Sequence, residues 1–265
     1  MAETVIVLAV LAASLAIAAV ARSYRRFAEL RERLAAYLAA TAPELEVEPT
    51  DAGLRARVLG AEVLIDLAAL ARRRPRGVAD DAWFAQVLAD LRARVPAPQA
   101  PPLALVADRL LPQLRPRAYV EVFEGYPPPQ RLVWREGPAG LAVTYIIAGV
   151  HQWTAVTRAA LEAWRLDPDG LHARALANLR AQTRHLVDEI GGPRRRYEHL
   201  DGLDATRVLV PELVIPPDVA DPLIAIPEES VLLIAPATER VALETEAAAR
   251  HAASARPLTP GLLRP

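Results

Sequence analysis

The chain contains no cysteine and no lysine, so all 31 of its basic residues are arginine. Without cysteine there is no thiol nucleophile, no disulfide and no thiolate metal site. Without lysine there is neither a Schiff-base amine nor the lysine of a Walker-type phosphate loop. The Gly-x-Gly-x-x-Gly, Gly-x-Ser-x-Gly and His-Glu-x-x-His patterns are also missing, so dinucleotide binding, α/β-hydrolase and zinc-protease chemistry have no sequence support.

The composition is that of a folded protein. Of the 265 residues, 52% are hydrophobic and 24% are charged, which is enough to bury one sizeable core or two small ones. The formal net charge is −1, and aromatic residues are not interleaved with the basic ones. Nucleic acid is therefore not expected as a partner. No motif predicts a cofactor or a metal site.

Residues 5–21 are apolar except for Ser14 and predict a membrane-spanning helix. A helix of this length extends about 25 Å, enough to cross the hydrocarbon core with short flanks. Arg22, Arg25 and Arg26 follow the segment, whereas only Glu3 and the α-amino group precede it. By the positive-inside rule the arginine side stays in the cytoplasm. We therefore expect a single-pass anchor with the body of the protein in the cytoplasm.

Two other interpretations of this segment stay open. Ala19 and Ala21 form a small-x-small cleavage site, as in a secretory signal peptide. Signal peptides, however, carry their positive charge before the apolar core, and here it lies after the core. The segment can also be a buried helix of the body.

The residues after the anchor favour a continued helix. The run from Ser23 to Ala40 is rich in strong helix formers. Phe27, Leu30, Leu34 and Leu38 recur at intervals of three and four, which places them on one helical face. This face can pack on the body or on a second copy of the chain, which would make a homo-oligomer through residues 23–40.

The rest of the chain predicts an α+β fold: a two-lobed body of mixed or antiparallel sheets with packed helices. Four prolines between Pro96 and Pro102 predict a linker. The expected divisions are an anchor at 1–26, an N-terminal α+β lobe at 27–95, a proline-rich linker at 96–102, a C-terminal α+β lobe at 103–236, and a terminal helix with a mobile tail at 237–265.

Alternating or continuous apolar runs bounded by turn residues predict the strands. In the first lobe these are Leu45–Val47, Leu54–Val58 and Ala61–Leu67, followed by a helix that ends at the Arg72–Pro75 block and a second helix that Asp80 or Asp81 can cap. The predicted order of this lobe is therefore β-β-β-α-α. In the second lobe they are Tyr119–Phe123, Arg131–Trp134, Leu141–Ala148, Gln152–Val156, Arg196–Leu200, Arg207–Val210, Leu223–Ile226 and Val231–Ala235. Asp167 before Pro168 predicts the start of a long helix with an apolar stripe of Leu171, Ala175, Leu179 and Leu186 on one side.

Several sequence blocks follow one another in a recognisable order. They are His151–Trp164 (HQWTAVTRAALEAW), Leu171–Arg180 (LHARALANLR), Asp204–Pro211 (DATRVLVP), and Ala225–Pro227 (AIP) with Val231–Ala235 (VLLIA). In this order they resemble the YtpQ-like family of bacterial proteins, a domain of unknown function. The resemblance runs from about Ala28 to about Pro236 and implies a bacterial, cytosol-facing α+β domain, which would place the anchor in the inner membrane. It implies no activity. The anchor and the Arg194–Arg196 run depart from typical members.

One group of polar residues is a candidate ligand site. His199, Asp201, Asp204 and Arg207 place an imidazole, two carboxylates and a guanidinium within nine positions, and such a set can hold a divalent metal or an anionic substrate. The alternative is structural, because Asp201 and Gly202 form a turn pair and Asp204 can cap a helix or pair with Arg207.

These observations lead to two functional hypotheses. The first is a non-enzymatic, membrane-anchored module that binds a protein partner through its cytoplasmic body, and the absence of catalytic motifs motivates it. The alternative is a hydrolase or ligand-binding enzyme that uses His199, Asp201, Asp204 and Arg207.

Overall fold

A computed structural model of the chain describes residues 27–50, 53–58, 61–75, 77–94, 99–149, 153–186, 194–199, 201–217 and 219–265. These residues form an α+β structure with antiparallel sheets and packed helices. The predicted anchor and its flanking arginines, at 1–26, lie outside the described residues. In the part that is described, no helix is both long enough and apolar enough to cross a membrane. The chain divides into two compact units, Met1–Pro96 and Ala97–Pro265.

The described residues of unit 1 form a three-stranded antiparallel sheet and three helices. The sheet has the order β1-β2-β3. The elements are α1 (residues 27–41), β1 (Glu46–Pro49), β2 (Gly53–Val58), β3 (Ala61–Asp66), α2 (Leu67–Arg73) and α3 (Asp80–Arg94). The order β-β-β-α-α predicted for the first lobe is therefore found after α1.

Alternation gives this sheet one apolar face and one mainly charged face, on which Leu64 also lies, opposite Arg55. Leu54, Ala56 and Ile65 are buried on one side. On the other side Arg55 lies 3.3 Å from Glu62 across the β2–β3 pair. Because successive strand residues point to opposite faces, the same alternation predicts both the strands and the face that packs against the helices.

Helix α1 packs on its own unit. Leu34 and Leu38 are fully buried, and the Tyr37 ring lies 5.4 Å from the ring of Phe84 in α3. The sequence predicted that one apolar face of this helix packs on the body or on a second copy. Leu34 and Leu38 of that face are buried within the unit, while Phe27 is exposed.

Unit 2 contains two antiparallel sheets. The β4 sheet has the order β4-β6-β5, with β7 also paired to β6, and the β9 sheet has the order β11-β9-β10-β8. The strands are β4 (Leu110–Arg115), β5 (Trp134–Glu136), β6 (Ala142–Ala148), β7 (Trp153–Ala155), β8 (Arg195–Tyr197), β9 (Pro222–Glu228), β10 (Val231–Pro236) and β11 (Leu262–Leu263). The helices are α4 (Arg117–Phe123), α5 (Arg158–Trp164), α6 (Pro168–Arg184), α7 (Pro211–Val214) and α8 (Arg240–Ala253).

The two sheets of unit 2 share one apolar core. It combines Tyr145 of β6 with Ile224 of β9 and Ile234 of β10, and α6 adds Leu171. The opposite face of the β9 sheet is also buried, because Leu243 of α8 packs there. Strands β9 and β10 therefore have two buried faces, which explains why their sequences are continuous apolar runs without alternation.

Helix α6 begins as the sequence predicts. Asp167 precedes the helix, and its carboxylate accepts a hydrogen bond from the Gly170 N–H at 2.5 Å, while Pro168 occupies the first turn. The predicted stripe is buried at Leu171, Ala175 and Leu179. The helix ends at Arg184, before Leu186, which the prediction had placed on the same stripe.

Two predicted strands are wrong. Tyr119–Phe123 is part of helix α4, whose buried residues Val120 and Phe123 are three positions apart, and Pro116 precedes its first turn. Arg207–Val210 lies mostly in a 3₁₀ turn, Ala205–Leu209, in which the Arg207 N–H donates to the Leu203 and Asp204 carbonyls. Both segments are short apolar runs, for which periodicity does not separate strand from helix.

Strand β4 was not predicted, because Pro112 lies inside it. Among the described strands β4 pairs only with β6, and an edge position tolerates a missing N–H. Its outer backbone groups are satisfied by side chains. Asn178, the only asparagine of the chain, donates to the Leu110 carbonyl at 2.8 Å, and the Leu114 N–H donates to the Thr206 hydroxyl at 3.1 Å. This edge is thereby closed to further strands.

The C-terminal tail, for which the sequence predicts mobility, extends the β9 sheet. Leu258 is buried in the core, and β11 pairs with β9 through Leu262 and Leu263. The tail before β11 follows β9 as well, since Pro257 forms a bridge with Glu228.

Candidate functional site

The four candidate residues lie on one short segment of unit 2 that connects β8 to the 3₁₀ turn. His199 follows β8 by two positions, Asp201 opens a turn with Gly202, and Asp204 and Arg207 lie at the start and in the middle of the 3₁₀ turn. Gly202 has φ of +68°, which glycine adopts at little steric cost. The segment folds back on itself and brings all four side chains together.

Asp204 is the centre of this network. Its Oδ2 accepts from the His199 backbone N–H at 2.9 Å, and its Oδ1 accepts from His199 Nδ1 at 2.8 Å. Oδ1 also accepts from Arg207 Nη1 at 2.7 Å. Both Asp204 and Arg207 are completely buried, so their charges are compensated by each other and by hydrogen bonds rather than by water.

Asp201 completes the charge balance around Arg207. The guanidinium donates to both carboxylate oxygens of Asp201, and the Leu203 N–H donates to Oδ1 at 3.0 Å. Burial would raise the pKa of Asp201, but the hydrogen bonds from Arg207 and Leu203 outweigh it and hold that pKa below its usual value. One guanidinium is thus paired with two ionised carboxylates.

This arrangement has the properties of a structural ion network. Both carboxylates are occupied by donors from the chain, and the guanidinium is out of reach of an incoming anion. In the described part of the chain, no group of three or more histidine and acidic side chains is placed to hold a metal ion. The cluster as a whole therefore offers neither an open metal site nor an anion-binding arginine.

One component of the network faces outward. The His199 side chain is 22% exposed, and its Nδ1 is held by a carboxylate, as in the histidine–aspartate pairs that orient a general base. Nε2 is the ring nitrogen that remains. The exposed Trp153 packs on the same segment, since a Cβ at Gly202 would lie 2.5 Å from its ring. The sequence did not indicate that Trp153 lies here.

Tyr145 and His172 form a second polar pair, which no sequence motif indicated. The Tyr145 hydroxyl and His172 Nδ1 are 3.0 Å apart. Burial raises the pKa of Tyr145 to about 12, although Arg135 acts in the opposite direction. Burial also lowers the pKa of His172, and Arg135 lowers it further. The phenol thus stays protonated beside a neutral imidazole, and the hydrogen bond between them joins β6 to α6.

Unit 1 carries an apolar groove that no sequence motif indicated. Its volume is about 240 Å³. The floor is apolar and includes Leu70 of α2 together with Trp83 and Val87 of α3. Three successive residues of β3, Leu64, Ile65 and Asp66, form one wall of the groove. The rim is polar and includes Arg73, Gln86 and Asp90.

Comparisons with known proteins identify no relative of this chain: no family model, no curated protein and no solved structure matches it. The resemblance to the YtpQ-like family accordingly stays a prediction, and the functional conclusions depend on the geometry of the two units.

Proposed function

We propose that the chain is a non-enzymatic protein-interaction module, held at the bacterial inner membrane by residues 1–26 with its body in the cytoplasm, and that it docks a partner in the unit 1 groove. The observation that carries this proposal is the position of the groove along the free edge of β3. Membership of the YtpQ-like family is part of the same proposal.

The groove reaches the backbone of β3 as well as its side chains. Successive strand residues point to opposite faces of a sheet, so a wall made by Leu64, Ile65 and Asp66 follows the edge of the strand. Among the described residues β3 pairs only with β2. An edge strand of this kind presents N–H and C=O groups that another chain can pair with.

An extended segment of a partner protein fits this surface best. Such a segment can add a strand to β3 through main-chain hydrogen bonds and place alternate side chains in the adjacent apolar floor. Leu64 is 69% exposed and belongs to the groove wall, so a side chain of an added strand can cover it. The wall and rim carry two carboxylates, Asp66 and Asp90, against one guanidinium, Arg73, so a partner segment with a basic residue is favoured.

The membrane part of the proposal depends on the sequence alone. The apolar run of residues 5–21 and the arginines that follow it support an anchor with a cytoplasmic body. Accessibility labelling in intact cells tests this orientation independently of the groove. Labelling of the body from outside the cell would refute it.

Site-specific photo-crosslinking in cells tests the docking surface. A photoreactive amino acid replaces Leu64 in one full-length variant and Val241 of α8 in a matched control, because the two side chains are similarly exposed, at 69% and 76%. We expect a discrete protein adduct from position 64 that the control does not form. Because the proposed partner segment is basic, Glu62→Ala should decrease the yield of the adduct, and an increase would contradict a basic segment.

Co-purification of a partner with the wild-type chain, or with the variant Leu64→Asp expressed in its place, tests how strongly the β3 edge binds that partner. A partner that is recovered with the wild-type chain and with Val241→Asp, but not with Leu64→Asp, supports the proposal. Identical recovery by all three chains would show that the β3 edge is not the docking surface.

The alternative function, a hydrolase or ligand-binding enzyme at the cluster, is favoured by one observation, the His199–Asp204 pair beside the exposed Trp153. His199→Gln removes a general base but keeps a side chain that can hydrogen bond. Hydrolysis of an ester, phosphate or peptide substrate that is lost in His199→Gln and retained in His251→Gln would establish this alternative and refute a non-enzymatic role.

A further inference from the structure

A second charged cluster in unit 2 connects the end of β4 to the β9–β10 turn. Glu229, in the turn, forms ion pairs with Arg115 of β4 and, at 3.4 Å, with Arg256 after α8. Arg115 Nη2 also donates to Gln113 Oε1 at 2.9 Å. Gln113, Arg115, Glu229 and Arg256 are called the Glu229 cluster below. It contains two guanidinium groups and one carboxylate, so it has an excess of positive charge.

The Glu229 cluster also has more donors than acceptors. Gln113 Nε2 and Arg115 Nε are buried and have no hydrogen-bond acceptor among the described residues. Gln113 is only 2% exposed. Exchanging the amide oxygen and nitrogen of Gln113 does not provide an acceptor for Nε2, because Oε1 already accepts a hydrogen bond from Arg115 and would be lost as its acceptor. Buried donors are nearly always paired in folded proteins. Arg207 Nε is also buried without an acceptor, but the Glu229 cluster differs from that network in combining two such donors with an excess of positive charge, which a ligand rich in acceptors would satisfy.

The position of Arg115 adds to this imbalance. Burial lowers the pKa of Arg115 and the nearby Arg256 lowers it further, while Tyr119 acts in the opposite direction. The guanidinium lies 4.9 Å from the Tyr119 ring centroid, which fixes its plane. An anion beside Arg115 would offset both the burial and the repulsion from Arg256.

We propose that the Glu229 cluster binds a phosphate group. Its oxygens can accept from Gln113 Nε2, from Arg115 Nε and from Arg256, and its charge compensates the second guanidinium. Arg256 is 71% exposed and forms the side from which a phosphate can enter. The inference is independent of the β3 groove, because all of its residues belong to unit 2.

Thermal unfolding of the full-length chain in inorganic phosphate tests the proposal, with sodium chloride of equal ionic strength as the reference. Binding to the folded state alone should raise Tm by about 3 °C or more at saturating phosphate. Arg256→Ala should remove most of this rise. Arg264→Ala is the matched control, because Arg264 is 67% exposed and pairs with Asp221 at 3.5 Å, and it should keep the full rise.

Gln113→Leu provides a second variant that should weaken phosphate binding at least tenfold, measured by calorimetry. If this buried substitution prevents folding, the Arg256→Ala result decides alone. A third arm replaces phosphate by glycerophosphoglycerol, the soluble headgroup of an anionic lipid. A response to the headgroup but not to inorganic phosphate would identify a lipid ligand. Equal responses of Arg256→Ala and Arg264→Ala, or no rise beyond that in sodium chloride with either inorganic phosphate or glycerophosphoglycerol, would overturn the proposal.

Discussion

Replacing Asp204 by alanine tests whether the network around Arg207 holds the fold together. The substitution removes three hydrogen bonds, two from His199 and one from Arg207. Arg207 stays buried with Asp201 as its remaining carboxylate. The expected loss is about 3 to 5 kcal/mol, both from the net value of three hydrogen bonds and from the effect of removing one partner of a buried ion pair.

Urea unfolding of the full-length chain, followed by tryptophan fluorescence, measures this loss. With an m value of about 2 kcal/mol per molar, the midpoint should fall by about 1.5 to 2.5 M. The matched control is Glu212→Ala, which removes a carboxylate paired with Arg180 at 2.8 Å on the surface. Exposed pairs of this kind contribute at most about 1 kcal/mol.

The variant Asp204→Asn separates charge from shape. Its amide oxygen can still accept from the His199 N–H, but it no longer compensates Arg207, so its loss of stability should lie between those of Glu212→Ala and Asp204→Ala. A loss in Asp204→Ala no larger than in the surface control would refute the structural interpretation. It would instead indicate that the buried charges serve a ligand.

Other substitutions have equally specific expectations. Asp201→Asn should flatten the acid side of the stability curve below the ordinary aspartate pKa of 3.8, because a lowered pKa stabilises the fold above the unfolded-state pKa and this contribution is lost as the pH falls through the folded-state pKa. In an ultraviolet absorbance titration, Tyr145→Phe should lack the phenol that ionises at a pH of about 12. The stability that comes from this raised pKa is present below the ordinary tyrosine pKa of 10.0 and is lost as the pH rises through about 12. Gly202→Ala should lower Tm, because φ is +68° and the new Cβ would lie 2.5 Å from the Trp153 ring. Adding Trp153→Val to this variant should restore only part of the lost Tm, because the strain of the positive φ remains.

Much of the fold was readable from local patterns. The β1–β3 sheet has one charged face, so its alternation is unambiguous. The start of α6 follows from Asp167 and Pro168 alone, because a capping carboxylate and a proline at the first turn act within a few residues. Strands β9 and β10 are apolar on both faces, yet their lengths and bounding prolines and glutamates still identified them.

The incorrect predictions occurred where the local pattern was too short. Tyr119–Phe123 is a short apolar run with two valines, but the residues that the core buries, Val120 and Phe123, have a helical spacing. Strand β4 contains Pro112, which is acceptable because β4 is an edge strand in the described sheet, where Asn178 and Thr206 bond its outer backbone groups. This closure depends on residues far away in sequence, 68 positions in the case of Asn178 and Leu110.

The same distinction applies to the site. His199, Asp201, Asp204 and Arg207 lie within nine positions, so their proximity could be predicted, whereas burial of Arg207 could not. The Tyr145–His172 pair joins residues 27 positions apart, and no local sequence pattern predicts that these two side chains meet. The β3 groove depends on how α3 packs beside a strand edge, which no local motif encodes.

Two buried faces make the β9–β10 hairpin the slowest-exchanging part of unit 2. Strand β9 is paired on both sides, with β11 and β10, and β10 with β9 and β8. The shared core covers one face and α8 covers the other. Its amide protons can therefore reach solvent only when the whole unit opens, so their exchange with deuterium reports the global stability of unit 2, while amides at outer edges exchange through smaller openings.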